Sequence, residues 1–335
     1  MIVDAHNHII PEGIVSIFEA DPEAFGVRVE RFDGITRLVH REGFAYPLFP
    51  EFADPQVKVS KLDERGFDAA IISPSPTLFF YREPGEKNAE FVRYLNNEVA
   101  AFVATAPSRL IGMGTLPMQS PEASIAELEY LVSTLGIRAV MIGTHIDGVQ
   151  LAAPEYRPVL QKAADLGVFI LTHPYYFGAK PGLEPYYLTN LIGNPLDTTV
   201  MAAHLIFGGV MEEIPHLRIC LSHGGGFAPY QIGRLVHGQN VRKEAQTTKI
   251  SPKDLLKRFY FDTITHDPEA LRFLISLVGA DHVLLGTDIP FDMADLSPVE
   301  TLRAAGIGAA EFELISGRNA IDLVGTAAVK GLLNV

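Results

Sequence analysis

Five side chains that can bind a metal or move a proton, His6, His8, His173, His223 and Asp288, each stand at or just past the end of a short apolar run. His6 and His8 are two residues apart, and a two-residue step along an extended chain returns a side chain to the same side, so both imidazoles face one way. His173 closes VFILTH (168–173) and Asp288 closes HVLLGTD (282–288), adding a third imidazole and a carboxylate. Three nitrogens and one carboxylate oxygen suit a borderline divalent ion, zinc first, with room for water. His223 closes RICLSH (218–223) and is placed beside the metal as acid, base or electrostatic stabiliser rather than as a ligand. Each residue alone has a plain structural explanation: a hydrogen-bonded histidine at a strand end, or an aspartate that caps a helix or forms a turn. Turn chemistry does not explain why separate strands all end in ligand-type side chains.

Parallel α/β barrels bring such residues together, because their sites lie at the C-terminal ends of the strands. Eight strand candidates are legible: residues 2–6, 67–73, 109–116, 137–143, 168–173, 218–223, 258–263 and 282–288. Most are near-continuous apolar runs, as strands covered on both faces require. Helical patterns fall between them at 86–105, 120–135, 155–166 and 267–278, with Gly136 and Gly167 as stops. The alternation predicts an α/β fold, a (β/α)8 TIM barrel, as one domain over residues 1–335. Two connections exceed ordinary barrel loops. Residues 9–66 are expected to form an inserted cap between strands 1 and 2, with a β-hairpin in VRVERFDGITRLVHREG (27–43). Residues 174–217 start with the rings of Tyr175, Tyr176 and Phe177 after Pro174 and hold a helix-like stretch at 196–210. Both insertions emerge at the metal end and can shape a pocket there.

The formal net charge is −13 and neither Lys nor Arg forms a run, which argues against nucleic acid or an anionic membrane as partner. Cys220 is the only cysteine, so no internal disulfide can form. No apolar stretch reaches membrane-spanning length, and the first residues already read as strand and ligands; a cytoplasmic location is expected.

The ordered blocks DAHNHIIP (4–11), LDERGFDAAIIS (62–73), GMGTLPMQSPEASIAELEYLV (112–132), IGTHIDG (142–148), LTHP (171–174), GGVMEEIPHLRICLSHGGGFAPYQIGRLVHG (208–238) and LLGTDIPF (284–291) resemble the amidohydrolase superfamily. Within it they are similar to the group of 2-amino-3-carboxymuconate-6-semialdehyde decarboxylase and related aromatic acid decarboxylases. The resemblance implies His6, His8, His173 and Asp288 as ligands of one zinc or manganese ion, and His223 as the acid/base residue beside it. It further implies a carboxylate substrate held by Arg234 and Arg242, the latter reaching a neighbouring subunit's site, and hence a homodimer. Three positions depart from the group. Tyr46 stands where a substrate-binding arginine is expected, with Arg41 the nearest basic residue; Asn190 stands where a tryptophan is expected; Tyr175 supplies the ring after His-Pro.

Non-oxidative decarboxylation of an aromatic or muconate-like acid is therefore the leading expectation, with His223 or Asp288 delivering the proton to carbon. The same ligands also serve hydrolysis of a lactone, amide or related carbonyl, and a non-catalytic metal-bound sensor is the third reading. His145 is expected at the rim of the pocket. His40, His204, His216, His237, His266 and His282 have ordinary loop or helix explanations. Asp262, at the end of the seventh strand, either orients a site residue or forms a turn.

Overall fold

The computed structural model describes residues 1–176 and 181–325. Phe177, expected among the rings that follow Pro174, lies outside the described residues. The strands follow in chain order as β1 (Val3–Ile9), β2 (Val27–Phe32), β3 (Ile35–His40), β4 (Ala45–Pro47), β5 (Ala69–Pro74), β6 (Leu110–Gly112), β7 (Gly114–Thr115), β8 (Ala139–Gly143), β9 (His145–Ile146), β10 (Val149–Gln150), β11 (Phe169–His173), β12 (Arg218–Leu221), β13 (Tyr260–Asp262) and β14 (Val283–Leu284). Every residue of β1, β5, β8 and β11 is buried; β5, β8 and β11 accordingly read as near-continuous apolar runs, whereas β1 buries the polar Asp4, His6, Asn7 and His8.

The expected parallel architecture is present as two sheets, β1-β5-β6 and β14-β13-β12-β11-β8-β7, with all pairings parallel. The run 109–116 divides at Met113, where the chain changes partner. Its first half pairs with β5 and its second half with β8, while Met113 N still donates to Ile72 O. The run 282–288 forms a ladder only over β14, because its remaining amides turn to other acceptors. Thr287 N and Asp288 N donate to His6 O, and Gly286 N donates to Thr263 Oγ1. Those bonds, with Ala5 N to Leu285 O, tie the first strand to the last.

Helices lie between the strands near the expected positions: Gly85–Ala104, Pro121–Tyr130, Arg157–Asp165, Asn194–Phe207 and Pro268–Val278. The first buries Phe91, Leu95, Val99 and Phe102, a three-to-four residue spacing that lines one helical face. The second continues as a wider turn over Leu131–Leu135 before Gly136 stops it with φ of 69°. No helix among the described residues is long and apolar enough to cross a membrane.

Residues 9–66 contain the expected hairpin. β2 and β3 pair antiparallel from Val27↔His40 to Phe32↔Ile35, and Asp33 and Gly34 turn the chain with φ of 50° and 77°. β4 adds a third strand. Helix Pro55–Arg65 returns the chain to the parallel sheet; Asp54 caps its start by accepting Gln56 N at 2.8 Å. Phe18, Val27, Leu38 and Phe52 form a second apolar cluster that also includes Phe91 and Leu95 of the first long helix. Residues 9–66 and that helix therefore share a second small core, and Val99 and Phe102 of the same helix belong to the main one.

Candidate metal centre

Because the strands run parallel, their C-terminal ends lie on one edge, and the four expected ligands meet there. One donor atom from each of His6, His8, His173 and Asp288 lies within 4.8 Å of the others, and all four residues are buried. The imidazoles are arranged nearly symmetrically, with ring centroids 5.0 to 5.1 Å apart and planes close to perpendicular. Asp288 Oδ1 is 2.8 Å from His8 Nε2, 3.4 Å from His173 Nε2 and 3.5 Å from His6 Nε2.

The opposite nitrogen of each ring explains this orientation. His173 Nδ1 lies 2.6 Å from Pro174 O, which only accepts, so Nδ1 carries the proton. Ser73 Oγ donates to Asn7 O and is left to accept from His8 Nδ1 at 3.1 Å. His6 Nδ1 donates to Asp262 Oδ2 at 2.7 Å. In that tautomer all three Nε2 atoms turn lone pairs toward a carboxylate oxygen, an arrangement that repels itself unless a cation stands among them. Nε2 of His6 and of His173 are buried with no hydrogen-bond partner. The donor set thus fits a divalent ion, its place marked by unsatisfied atoms.

Electrostatics agree. Burial lowers His8 to about 3 and His173 to about 4, so both rings are neutral near pH 7 and need lose no proton to coordinate. Burial acts to raise Asp288, but the imidazoles of His173, His223 and His8 around it hold the carboxyl well below the usual carboxylate range.

His223 adopts φ of 55° and Asp288 φ of 64°, the left-handed region that side chains seldom enter. Asp262 holds the first in place. Its Oδ2 accepts His223 N at 2.9 Å as well as His6 Nδ1, and its Oδ1 accepts Gly224 N at 2.8 Å. Both readings of Asp262 hold: it orients His6 and His223, and its Oδ1 also accepts Ile264 N at 3.2 Å in a local turn. His223 Nε2 reaches to 3.5 Å of Asp288 Oδ2, with its ring 5.0 Å from that of His173. Close approach of backbone makes this packing possible: a side chain at Gly286 would put Cβ 2.9 Å from that of His6.

Further polar groups brace the centre from behind. Asp4 accepts from Thr287 Oγ1 at 2.6 Å and from Asn7 Nδ2 at 3.1 Å; burial pushes its carboxyl up to about 6. Lys58 is fully buried and donates to His8 O at 3.1 Å, facing Glu51, which two bonds join to Arg65. Sequence reasoning did not single out Asp4, Ser73 or Lys58. Asp4 and Ser73 lie within recognisable strands; only their bonds distinguish them from ordinary strand-end residues.

Two cavities open from the centre. One, of about 520 Å³, is lined by His173 and Asp288 together with Tyr46, Tyr175 and Asn190, the three positions that depart from the group's pattern. The other, of about 670 Å³, is lined by His223, Asp288 and Asn190. Arg234 and Arg242 line neither: Arg234 is exposed on helix Ala228–Val241, and Arg242, just past it, pairs with Glu244 at 3.0 Å. His145 is buried behind the rim and lies 3.1 Å from Tyr175 Oη through Nδ1. His40 is a buried residue of β3 stacked on Phe44 at 4.3 Å, not a loop or helix residue, because the hairpin takes up that segment.

Comparison with known proteins follows the same lines. The chain is 32% identical over 327 residues to 2-amino-3-carboxymuconate-6-semialdehyde decarboxylase of Dictyostelium discoideum, covering 96% of this chain and 91% of that one. Among solved structures, Metarhizium anisopliae IDCase in apo form superposes with a TM-score of 0.83 at 25% identity, over 97% of both chains. A dihydroxybenzoic acid decarboxylase from Polaromonas, solved with bound manganese and 2-nitroresorcinol, shares the fold, with a TM-score of 0.80 at 22% identity over 99% of this chain and 98% of that one. The family model described as amidohydrolase matches residues 3–326, and the chain belongs to that family.

Proposed function

We propose that this protein is a metal-dependent, non-oxidative decarboxylase of an aromatic or muconate-like carboxylic acid. The observation that carries the reading is the convergence of three imidazole lone pairs and a carboxylate at the mouth of an aromatic cavity. The decarboxylase activity named for the Dictyostelium discoideum relative supports it.

In this reading His6, His8, His173 and Asp288 hold one Zn²⁺ or Mn²⁺ ion. When bound, the ion supplies positive charge that fixes and polarises the acid. Tyr46, Tyr175 and Asn190 line the substrate's place. The bond between substrate carbon and carboxylate would break, CO₂ would depart, and the electron pair left on carbon would take a proton by way of His223 or Asp288, either of which is recharged from water. His223 is suited to this role because its backbone is fixed by Asp262 while its side chain faces the open second cavity.

The two parallel sheets are read as arcs of one (β/α)8 barrel domain over residues 1–335, capped by residues 9–66. The chain is read as a cytoplasmic homodimer; Arg234 and Arg242 line neither cavity of their own subunit, and Arg242 is the one that the resemblance would bring to a neighbouring subunit's site. Metal analysis of purified protein, followed by headspace CO₂ measurement over a panel of aromatic and muconate-like acids, tests the function. CO₂ release that chelation abolishes and metal restores is the expected result. A metal-loaded protein that consumes a lactone or amide and releases no CO₂ from any acid makes it a hydrolase instead.

A further inference from the structure

A wall of rings runs outward from the metal ligands. Phe291 lies 5.3 Å from the His8 ring, Tyr46 lies 5.8 Å from Phe291, Phe44 lies 6.3 Å from Tyr46, and Tyr176 lies 5.0 Å from Phe44. Phe44, Tyr46 and Tyr176 also line the 520 Å³ cavity, as does Phe291. A bonded pair of hydroxyls stands in this wall: Tyr46 Oη lies 2.6 Å from Thr77 Oγ1, which lies 2.8 Å from Ser75 Oγ. Burial raises the Tyr46 phenol further above its ordinary value, so the pair stays uncharged at any physiological pH. The charged lining is acidic. Glu184 and Asp292 stand at the cavity with Asp288, and among the described residues no lysine or arginine lines it.

These observations bear on which acid the cavity accepts. A flat ring gains contact along the whole wall. A carboxylate at the metal is matched by the metal's charge. A second carboxylate further out meets Glu184, Asp292 and neutral polar groups, with no lysine or arginine among the described residues, and loses its water without an ionic partner there. A phenol hydroxyl or other neutral polar group at the same place can bond to Tyr46 or Thr77 without that penalty.

We propose that the cavity selects aromatic acids whose only carboxylate is the one at the metal, and that Tyr46 with Thr77 sets this choice through a neutral hydroxyl pair. The proposal rests on the decarboxylase reading and narrows it to aromatic monoacids, setting aside muconate-like acids, which carry two carboxylates. Tyr46 and Thr77 are specificity residues here, since they would touch the ring substituents and not the bond that breaks.

The test compares 2,6-dihydroxybenzoate with 2-hydroxyisophthalate, which carries a second carboxylate, on metal-loaded wild type, Tyr46→Arg, Tyr46→Phe and Thr77→Val. CO₂ release gives kcat/KM, and competition against 2-nitroresorcinol gives affinity whether or not either acid reacts. Wild type is expected to favour the monoacid at least tenfold in both readouts. Tyr46→Arg should move that ratio toward the diacid by tenfold or more, acting mainly through KM. Tyr46→Phe and Thr77→Val should weaken the hydroxylated monoacid while retaining metal, and they keep the test open if the arginine variant does not fold. Equal or better binding of the diacid by wild type overturns the proposal, including the case where a partner subunit supplies the missing cation. If neither acid releases CO₂ but the monoacid still binds tenfold tighter, the decarboxylase reading fails for these substrates and the selectivity of the cavity stands.

Discussion

The metal end and the cavity wall are built by different physics. At the metal end each ligand residue is held by a directed bond at a strand or strand end: Asp262 to His6, Ser73 to His8, Pro174 to His173, and His6 O to the amide of Asp288. The wall comes from the inserted segment and the loops, through Phe44, Tyr46, Tyr176 and Phe291, and is held mostly by ring contacts. Directed bonds in a low-dielectric interior fix position and protonation state, whereas ring contacts fix shape and leave substitution open. The difference teaches where change is tolerated: chemistry belongs to the rigid edge and substrate choice to the replaceable wall.

Removing a ligand is the strongest way to probe that division. His6→Ala is expected to lose both bound metal and activity, read by metal analysis and CO₂ release, because it deletes one of three lone pairs and leaves Asp262 without its partner. His223→Ala should keep near-stoichiometric metal while turnover falls by about 10²–10⁴, the usual scale of a lost general acid or base. Equal metal loss in both variants would make His223 a ligand and erase its separate role. Asp262→Asn should retain the fold and weaken metal binding about 10- to 100-fold, as loss of a partner behind a metal-bound histidine does. A competition titration with a chelator measures this.

Acidification probes the same edge without mutation. His8 at about 3 and His173 at about 4 are depressed below their unfolded value of 6.5, so the unfolded chain binds protons that the folded chain refuses. Their contribution to stability is present above pH 6.5 and is lost as pH falls toward 4. His6 is shifted the other way, since the bond to Asp262 and the charge of Asp288 outweigh its burial, and it offsets part of that loss. Metal-free protein should therefore show a falling denaturation midpoint from pH 7 to pH 4.5, and a midpoint that rises instead would contradict neutral rings at the centre.

The legibility of the sequence follows the same division. His6, His8, His173, His223 and Asp288 were readable because each ends an apolar run and the parallel strands place those ends together. The hairpin at 27–40 was readable from its Asp-Gly turn between β-rich stretches. The break at Met113 was not, because a change of partner depends on which strand lies alongside and not on composition. Lys58 was hidden for a similar reason. Inside KVSKLDER it reads as a solvated helix residue, and only the fold places its ammonium beneath His8 O with Glu51 opposite. Thr77 carries no distinctive pattern, and Phe291 is legible only as the end of LLGTDIPF; only the fold makes wall residues of them.

Arg242 supplies the smallest expected effect and a sharp test of the contrast. Its side chain is 68% exposed and its pair with Glu244 is a surface contact, of the kind that contributes about 0 to 1 kcal/mol. Arg242→Ala should leave metal content and thermal midpoint almost unchanged, since it touches neither the directed bonds nor the wall of its own subunit. For a monoacid, kcat/KM should stay within about threefold of wild type, because exposed substitutions away from a site usually shift free energy by no more than about 0.5 kcal/mol. A tenfold rise in KM would mean that this arginine reaches substrate across a subunit interface. Substrate choice would then be shared between the wall of one chain and a charge carried by another.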